Sequence, residues 1–331
     1  MTASPNAEIL SPILISGGTG SYGSALARFL LDHTSSHIRI YSRGEHRQNE
    51  MAAALGHDPR LTFIIGDVRN ARTLRHAADG CAAIVHAAAL KAVGNGEANA
   101  DEFVETNING TRNVIDAALG AGVLRTLLIS SDKAVQAINL YGASKRVAES
   151  LITQANRLGV TRGCSFATIR GGNIWMSHGS VGVVWRDTLA AGRPVIVNGP
   201  ETTRFHIHMD DWIALGWQVL GAMHGGEIFV PHARAWRLGM LANAFAPGAW
   251  VEAEPRPGDK QHEILISRDE VPRTVDAGAC YVVQPHAALC SVWNYSPWAG
   301  TPMPADWRYR SDTADRLNES ELAQLVREAT A

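Results

Sequence analysis

The sequence predicts an α/β fold, in which a doubly wound parallel sheet carries a smaller, mixed α/β lobe. Up to Gly172, short β-rich runs alternate with helical patterns of the length found in right-handed βαβ units. After Gly172 the elements become short, glycine and proline interrupt them, and tryptophans become frequent. A chain of 331 residues has room for about two domains. We therefore expect residues 1–172 to form the sheet domain, with contributions from later segments, and residues 173–331 to form mainly the lobe and the C-terminal tail.

Each element of the sheet domain is predicted from its apolar pattern. Short apolar and β-branched runs predict strands, and apolar residues three and four positions apart predict helices. The predicted strands cover residues 13–16, 38–42, 61–66, 82–87, 124–131 and 164–170. The predicted helices cover residues 21–32, 71–79, 101–121 and 141–158. A C-terminal acidic helix over residues 319–327 is expected to cap the lobe or to contact a second subunit.

The composition excludes several classes of protein. Hydrophobic residues make up 46% of the chain and charged residues 19%, a balance that supports a sizeable core and argues against disorder. Thirty basic and 32 acidic side chains leave a formal net charge of −2, whereas nucleic-acid-binding proteins usually carry a basic field. The longest apolar run, residues 81–90, is too short to span a membrane. Residues 1–11 lack the features of a signal peptide.

The cysteines and histidines indicate a cytoplasmic protein without a metal site. His262-Glu263 and His206-x-His208 have no further ligands at the spacing of a metal site. The cysteines are widely separated and form no CxxC pair, so we interpret them as buried thiols of a reducing compartment. They are Cys81, Cys164, Cys280 and Cys290.

A glycine-rich turn follows the first predicted strand and opens the first predicted helix. In such a turn the first glycine permits a tight bend, the second lets the backbone approach a diphosphate, and the third lets helix pack on strand. The helix N-terminus adds positive potential. This pattern predicts the diphosphate site of an NAD(P)-binding Rossmann fold. The residues expected to form it are Gly17, Thr19, Gly20, Ser21, Tyr22 and Gly23.

The end of the second strand indicates which dinucleotide binds. An NAD site usually has Asp or Glu there, but this strand ends in Ser42 and Arg43, with Arg47 one helical turn later. A hydroxyl and two guanidinium groups suit a 2′-phosphate, so we predict NADP, with NAD as the alternative. Asp67, just past the third strand, is placed to bond the adenine amine. The other predicted cofactor contacts are Val68, Ala87, Ala88, Ala89, Lys91, Asn107, Tyr141 and Lys145.

Two pairs of residues predict the chemistry. Tyr141 and Lys145 share a helical face, where a protonated lysine lowers the pKa of a phenol, and Ser131 ends a strand ten residues upstream of Tyr141. A phenolate can take the proton of a sugar hydroxyl while hydride leaves the same carbon. Asp132 and Lys133 follow Ser131 directly and add an acid and a base. Elimination of water from a keto sugar needs both, whereas a simple epimerase or reductase needs neither.

Together these motifs resemble the extended short-chain dehydrogenase/reductases. More narrowly, the chain is similar to the inverting UDP-N-acetylglucosamine 4,6-dehydratases of flagellin-glycan and capsule biosynthesis. The similarity extends from residue 13 to about residue 322, and its runs include Gly17–Gly23, Tyr41–Arg43, Gly66–Arg69, His86–Lys91, Thr106–Ile108, Ser131–Ala134, Asn139–Lys145, Thr203–Phe205, Gly226–Pro231, Arg256–Lys260, His262–Glu263 and Tyr309–Thr313.

The resemblance implies a role for each catalytic residue. Tyr141, assisted by Lys145, would remove the 4-hydroxyl proton as NADP takes hydride from C4. Lys133 would then take the C5 proton, and Asp132 would protonate the departing 6-hydroxyl. NADPH would return its hydride to C6, with C5 reprotonated from the opposite face, so the cofactor stays tightly bound and is recycled. The resemblance also implies a homo-oligomer and assigns the nucleotide sugar to Lys91, Asn173, Val181, Arg204, Arg256 and Glu263.

Several positions around the sugar depart from the family pattern. The family usually has His-Val-Pro after the position of Lys91, where this chain has Ala92-Val93-Gly94, and its Gly-Ser-Arg-Gly-Ser loop is Met-Ser-His-Gly-Ser over residues 176–180. These changes leave open which sugar binds and whether C5 is inverted. The alternatives are a 5,6-dehydratase or an epimerase acting on another nucleotide sugar, and a non-catalytic NADP-binding regulator.

Overall fold

The computed structural model describes residues 10–289 and 295–330. Its strands are β1 (Ile13–Ser16), β2 (Ile38–Ser42), β3 (Leu61–Ile65), β4 (Ala83–His86), β5 (Arg125–Ser131), β6 (Ser165–Gly171), β7 (Asn173–Ile174), β8 (Val195–Asn198), β9 (Thr203–Ile207), β10 (Ile228–Pro231), β11 (Arg234–Arg237), β12 (Trp250–Ala253), β13 (Ile264–Ile266), β14 (Thr274–Asp276), β15 (Cys280–Val283), β16 (Thr301–Pro302) and β17 (Tyr309–Arg310). Its α-helices are α1 (Ser21–His33), α2 (Glu45–Ala54), α3 (Ala71–Ala78), α4 (Ala100–Phe103), α5 (Gly110–Ala121), α6 (Leu140–Gly159), α7 (Val181–Ala190), α8 (Met209–Ala222), α9 (Leu238–Phe245) and α10 (Glu319–Thr330). A π-helical segment (Val104–Asn109) joins α4 to α5.

Ten strands form one large sheet in the order β16-β14-β15-β10-β6-β5-β4-β1-β2-β3. The strands from β3 to β10 in this order run parallel, and β15, β14 and β16 continue the sheet in antiparallel pairs. The strand order reverses between β1 and β4. In a doubly wound sheet a ligand crevice opens at this point, outside the carboxyl ends of the strands. The predicted fold class is confirmed.

Helices cover both faces of this sheet. On one face α1 packs against α8, and its buried cluster includes Leu26, Trp212 and Phe229. On the other face α5 packs against α3 and α6 around Val114 and Ile152. Burial on both faces explains why the central strands have almost continuous apolar runs.

The second half of the chain contributes to both parts of the molecule. Strands β10, β14, β15 and β16 extend the large sheet, and α8 covers it. The rest forms the lobe, which contains small sheets of β11-β9-β7, β12-β8 and β13-β17. Trp185, Trp236 and Leu322 belong to its buried cluster, where α10 packs against α9. The acidic C-terminal helix therefore packs within the lobe.

The structure differs from the predicted elements in two places. The helix predicted over residues 101–121 is divided into α4, the π-helical segment and α5. Helix α2 was not predicted, because Gln48 and Met51 are its buried residues and it has no apolar stripe that a periodicity would reveal. Cys81, Cys164 and Cys280 are buried free thiols, and Cys290 lies outside the described residues.

The described ranges hold neither a cluster suited to a metal ion nor a helix suited to span a membrane. No group of three or more His, Cys, Asp or Glu side chains within them is arranged to hold a metal ion. None of the helices in those ranges combines the length and the apolar character that crossing a membrane requires.

Candidate active site

The glycine-rich turn lies where the strand order reverses. Gly17 has φ +70°, and a Cβ there would lie 2.7 Å from the Cα of Ala88, so only glycine fits. A Cβ on Gly23 would lie 2.5 Å from the Cα of Gly18, which shows how closely α1 packs on the turn. Within 4 Å of a Cβ on Gly20, the neighbouring atom would be the carbonyl oxygen of Gly17, at 3.1 Å. This open cradle at the N-terminus of α1 fits the diphosphate of a dinucleotide.

Tyr22 takes part in the cradle only through its backbone. Its side chain is buried, with its ring 6.3 Å from that of Trp212 and its hydroxyl directed at the backbone of Gly216. Burial raises the pKa of this phenol. The Tyr22 side chain therefore packs α1 on α8, while Thr19 and Ser21 remain partly exposed on the turn.

A loop of the lobe, residues 176–180, crosses to the cradle, and we name it the strap. The backbone N–H of His178 donates to Ser21 Oγ at 3.0 Å, and its Nδ1 lies 2.7 Å from the same oxygen. Lys91 Nζ donates to the His178 carbonyl oxygen at 2.7 Å, and burial lowers the pKa of Lys91. No local sequence signal predicts these contacts, which join positions 157 and 87 residues apart.

The residues predicted for the adenosine end lie around the ends of β2 and β3. Ser42 is buried, and its Oγ accepts from Gln48 Nε2 at 3.0 Å. The Arg43 side chain is 58% exposed and lies 4.0 Å from Asp67, whose carboxylate pairs with Arg69 at 2.6 Å. Partial burial opposes ionisation of Asp67, but the two arginines lower its pKa. Of the other predicted residues, Arg47 is exposed, and Val68 is buried against Gly110.

Asn107 holds the loop after β4 in place. Its side-chain amide accepts from the Leu90 N–H at 2.8 Å and donates to the Leu90 carbonyl at 2.9 Å. The same amide donates to Ser144 on α6 at 2.9 Å. Asn107 lies in the π-helical segment, so this segment connects Ala87–Ala89 and Lys91 to the helix that carries Tyr141.

Tyr141 and Lys145 lie at the start of α6. The side chain of Asn139 caps this helix by accepting from the Gly142 N–H at 2.8 Å, and a Cβ on Gly142 would collide with the Lys133 carbonyl oxygen. Burial raises the pKa of Tyr141, and Lys133 and Ser131 oppose that rise. Lys145 Nζ donates to the Ile129 carbonyl, and burial lowers the pKa of Lys145 to about 8.

Asp132, Lys133 and Glu263 form a buried cluster where β5 ends. Asp132 Oδ1 accepts from Ser131 Oγ at 2.9 Å and from Lys133 Nζ at 3.1 Å. Lys133 Nζ also lies 3.2 Å from Glu263 Oε1. Both carboxylates are buried, and neither Asp132 Oδ2 nor Glu263 Oε2 has a hydrogen-bond partner within the structure's described residues.

The cluster divides its charges unequally. Burial raises the pKa of Asp132, and although Lys133 opposes this, the negative charge of Glu263 adds to it. Burial alone would lower the pKa of Lys133, but the two carboxylates outweigh burial and raise it. Burial alone would raise the pKa of Glu263, but Lys133, Arg204 and Lys260 lower it. Burial and Glu263 thus favour the neutral form of Asp132, whereas the two carboxylates favour the ammonium form of Lys133 and the cations favour the carboxylate form of Glu263.

A cavity of about 790 Å³ opens beside this cluster. Two of its polar atoms, Asn173 Oδ1 and Ser180 Oγ, are buried without a hydrogen-bond partner in the described part of the chain. Arg204 is buried, and its guanidinium donates to the Thr203 carbonyl at 2.8 Å, whereas Arg256 is exposed. The predicted substrate-binding residues that line this cavity are Lys91, Asn173, Val181, Arg204 and Arg256, and the predicted base Lys133 lines it as well. Glu263 reaches it through Lys133.

Comparison with known proteins places this chain among sugar-nucleotide enzymes. A curated UDP-N-acetylglucosamine 4,6-dehydratase (inverting) from Campylobacter jejuni is 37% identical over 276 residues, which cover 82% of each chain. A curated UDP-glucose 4-epimerase from Rickettsia bellii is 33% identical over 324 residues, covering 95% of this chain and 94% of that one. The solved structure of Pen from Bacillus thuringiensis has a TM-score of 0.88, is 27% identical and covers 96% of both chains.

A family model described as "Polysaccharide biosynthesis protein" matches residues 13–285. This match includes the cradle, the strap, the Asp132–Lys133–Glu263 cluster and the Tyr141–Lys145 pair. It confirms the resemblance that the motifs indicated. The chain belongs to the polysaccharide biosynthesis protein family, within the extended short-chain dehydrogenase/reductases.

Proposed function

We propose that this protein is an NADP-dependent nucleotide-sugar 4,6-dehydratase that acts on UDP-N-acetylglucosamine or a related UDP-sugar and inverts C5. The observation that carries the proposal is the buried contact of Asp132 with Lys133, next to Tyr141. An acid, a base and a phenol at one place are the groups required for oxidation at C4 followed by loss of water. The named dehydratase relatives support the same reaction.

The cofactor belongs in the cradle of Gly17 and Gly20, with Arg43 and Arg47 toward the 2′-phosphate. When bound, its nicotinamide supplies reversible hydride chemistry at C4 and C6 of the sugar. Tyr141 takes the proton of the 4-hydroxyl while hydride leaves C4, so C4 becomes a ketone and the C5 proton becomes more acidic. Lys145, held against the Ile129 carbonyl, stabilises the phenolate while it carries its charge.

Elimination requires Lys133 to become neutral. Its proton can move to the Glu263 carboxylate, whose Oε1 lies 3.2 Å from Lys133 Nζ, and this leaves an amine at position 133 beside the carboxylic acid of Asp132. The amine then accepts the C5 proton, and the acid gives its proton to the 6-hydroxyl. The C6–O bond breaks and water leaves. Reprotonation at C5 from the opposite face inverts that centre.

The cavity fits a nucleoside diphosphate sugar. The N-terminus of α7 opens on it at Val181, and Arg204, Arg256 and Lys91 add positive charge, which suits a diphosphate. We propose that residues 173–331 mainly hold this substrate while residues 1–172 hold the cofactor. We also propose that the protein is a cytoplasmic homo-oligomer. An α5–α6 groove bearing exposed Leu158 supports the oligomer, and light scattering coupled to size exclusion tests it.

Product analysis tests the proposed reaction. The holoenzyme is incubated in D₂O with UDP-N-acetylglucosamine and a panel of other nucleotide sugars. A 4-keto-6-deoxy product with one deuterium at C5 supports dehydration, and a coupling pattern of the opposite C5 configuration supports inversion. A 4-hydroxyl isomer without loss of water would support the epimerase alternative, for which the Rickettsia relatives are named. The absence of product from every sugar would contradict both.

Cofactor preference is tested separately. The dissociation constants for NADP and NAD are compared in the parent protein and in Arg43→Ala. We expect the variant to bind NADP about tenfold more weakly and NAD about equally well, because only NADP carries the 2′-phosphate. Arg72→Ala, at another exposed arginine, is the control and should change neither constant. Tighter binding of NAD by the parent would contradict the NADP assignment.

A further inference from the structure

We propose that Glu263 is a positioning residue that keeps Asp132 in its acid form, because it attracts the cations of the cluster to itself. The inference rests on the proposed dehydration, in which Asp132 protonates the departing hydroxyl. The resemblance assigns Glu263 to the substrate, but its closest charged contact is Lys133. Glu263 would therefore act on the catalytic acid, Asp132, rather than on the sugar.

Ser311 holds both polar groups of the Glu263 backbone. Its N–H donates to Ser311 Oγ at 2.9 Å, and its carbonyl accepts from the Ser311 N–H at 2.9 Å. Ser311 Oγ is itself 2.7 Å from Thr203 Oγ1 at the start of β9. The Glu263 side chain is 2% exposed. The lobe thus delivers a buried carboxylate to the end of β5 at a fixed place.

The two carboxylates of the cluster have different numbers of cationic neighbours. Lys133 Nζ lies at almost the same distance from both, 3.1 Å from Asp132 and 3.2 Å from Glu263. Glu263 also has Lys260 Nζ at 3.6 Å and Arg204 Nε at 3.9 Å. Across the described ranges, Lys133 is the cation paired with Asp132 within 4.0 Å.

This asymmetry decides which carboxyl holds a proton. Two neighbouring buried carboxylates resist ionising together, so the one with fewer cations takes up the proton first. The charged and titratable groups that face Asp132 are Lys133 from its own turn, Tyr141 from α6, and Glu263 and Lys260 from the lobe. Of these, Glu263 is the anion. Its charge therefore favours a neutral Asp132.

The arrangement leaves one oxygen of the acid free for a ligand. Ser131 Oγ and Lys133 Nζ both bond Asp132 Oδ1, while Oδ2 has no partner among the described residues. If Asp132 is protonated on Oδ2, no group in the described part of the protein accepts a hydrogen bond from that proton. Removing the charge of Glu263 would let Asp132 ionise as the counter-ion of Lys133, and the proton for the 6-hydroxyl would be lost.

Glu263→Gln tests this role, with Glu263→Asp as the conservative variant. Glu201→Gln is the control, since Glu201 is an exposed lobe carboxylate paired with Arg237. Each holoenzyme is checked for its secondary structure by circular dichroism and for its bound cofactor. We measure elimination as 4-keto-6-deoxy product across pH, and C4 oxidation as reduced nicotinamide in a single turnover. The protonated carboxyl of the resting enzyme is measured by its infrared carbonyl band. The band that is lost in Asp132→Asn is assigned to Asp132.

We expect Glu263→Gln to eliminate about 10²-fold more slowly while C4 oxidation changes by less than about threefold. The alkaline limb of its elimination profile should move to lower pH, because a neutral residue 263 no longer disfavours the Asp132 anion. The infrared band should weaken at neutral pH. Glu263→Asp should recover most of the activity and the band, and Glu201→Gln should match the parent.

An unchanged infrared band and an unchanged pH limb in Glu263→Gln would overturn the inference, even if its elimination were slow. The infrared comparison needs no substrate, so it tests the role of Glu263 even if no tested sugar is dehydrated. The absence of dehydration would contradict the proposed function separately. A dehydrating parent with an unaltered band in Glu263→Gln leaves the proposed function standing and removes only the role of Glu263.

Discussion

Asp132→Asn separates oxidation from elimination. The amide nearly matches the carboxyl in shape, and its oxygen can still accept from Ser131 and Lys133, which now bond Asp132 Oδ1. Its NH₂ group takes the place of Oδ2, which has no hydrogen-bond partner in the described part of the protein. An unsatisfied buried N–H costs about 1–3 kcal/mol, so the free energy of unfolding should fall by no more than that.

The catalytic loss should be larger than the loss of stability. A positioned general acid is worth about 10²–10⁴ in rate. Asp132 is 0% exposed, so bulk water is poorly placed to supply the missing proton. We therefore expect elimination to slow by about 10³-fold, which corresponds to about 4 kcal/mol in the activation barrier. C4 oxidation uses Tyr141 and Lys145 and should change by less than about threefold.

The assay follows both half-reactions in one sample. Reduced nicotinamide is measured by absorbance after mixing enzyme with the nucleotide sugar in D₂O, and the sugar is then analysed by NMR. The recovered substrate should carry deuterium at C5, because Lys133 still removes that proton while the hydroxyl stays. Asp269→Asn, at an exposed aspartate, is the matched control. Elimination within about threefold of the parent would refute the acid role of Asp132.

Three further predictions address the cradle, the phenol and the core. Gly17→Ala should lower the free energy of unfolding by about 2 kcal/mol or more and abolish cofactor binding, because the added Cβ has no room. Gly80→Ala is the control, since Gly80 has a similar φ of +68° but open space around it, and should show only the cost of backbone strain. Thermal unfolding and cofactor titration compare the two variants, and equal losses would contradict the crowding argument. The rate of C4 oxidation should decline as pH rises through about 8, because Lys145 loses its charge there. Lys145→Met should oxidise C4 about 10²-fold more slowly and should lack this alkaline decline. A variant that keeps the decline in stopped-flow absorbance would exclude Lys145 as its source. Arg170→Met should lower the free energy of unfolding in urea by about 3–5 kcal/mol, since it removes the buried arginine that pairs with both Glu149 and Glu270 and leaves them the longer contacts to Arg146 and Arg273. A loss below about 1 kcal/mol would contradict this expectation.

The parts of the fold set by local sequence were predictable. The first strand, the glycine turn and the first helix follow one another without interruption, and each carries a strong local signal. Tyr22 illustrates a signal that was available but unused. It lies four and eight residues before Leu26 and Leu30, on the buried stripe of α1, so its spacing indicates that its side chain packs in the core.

The parts set by long-range contact were not predictable from one sequence. Glu263 and Lys133 are 130 positions apart in the chain, and only the folded lobe brings them to 3.2 Å. His178 reaches Ser21 in the same way. Asn107, in the π-helical segment, bonds to Leu90 across 17 positions of the chain, a contact that no local pattern shows.

The central claim is that one molecule of sugar is first oxidised at C4, then loses water, and is finally reduced at C6 within a single binding event. Conversion of UDP-N-acetylglucosamine labelled with deuterium at C4, in ordinary water and with unlabelled substrate mixed in, tests this directly by mass spectrometry and NMR. We expect the C4 deuterium to appear at C6 of the same molecule, without crossover to the unlabelled sugar. Loss of the label to solvent, crossover between molecules, or a product that keeps its C6 hydroxyl would contradict the account.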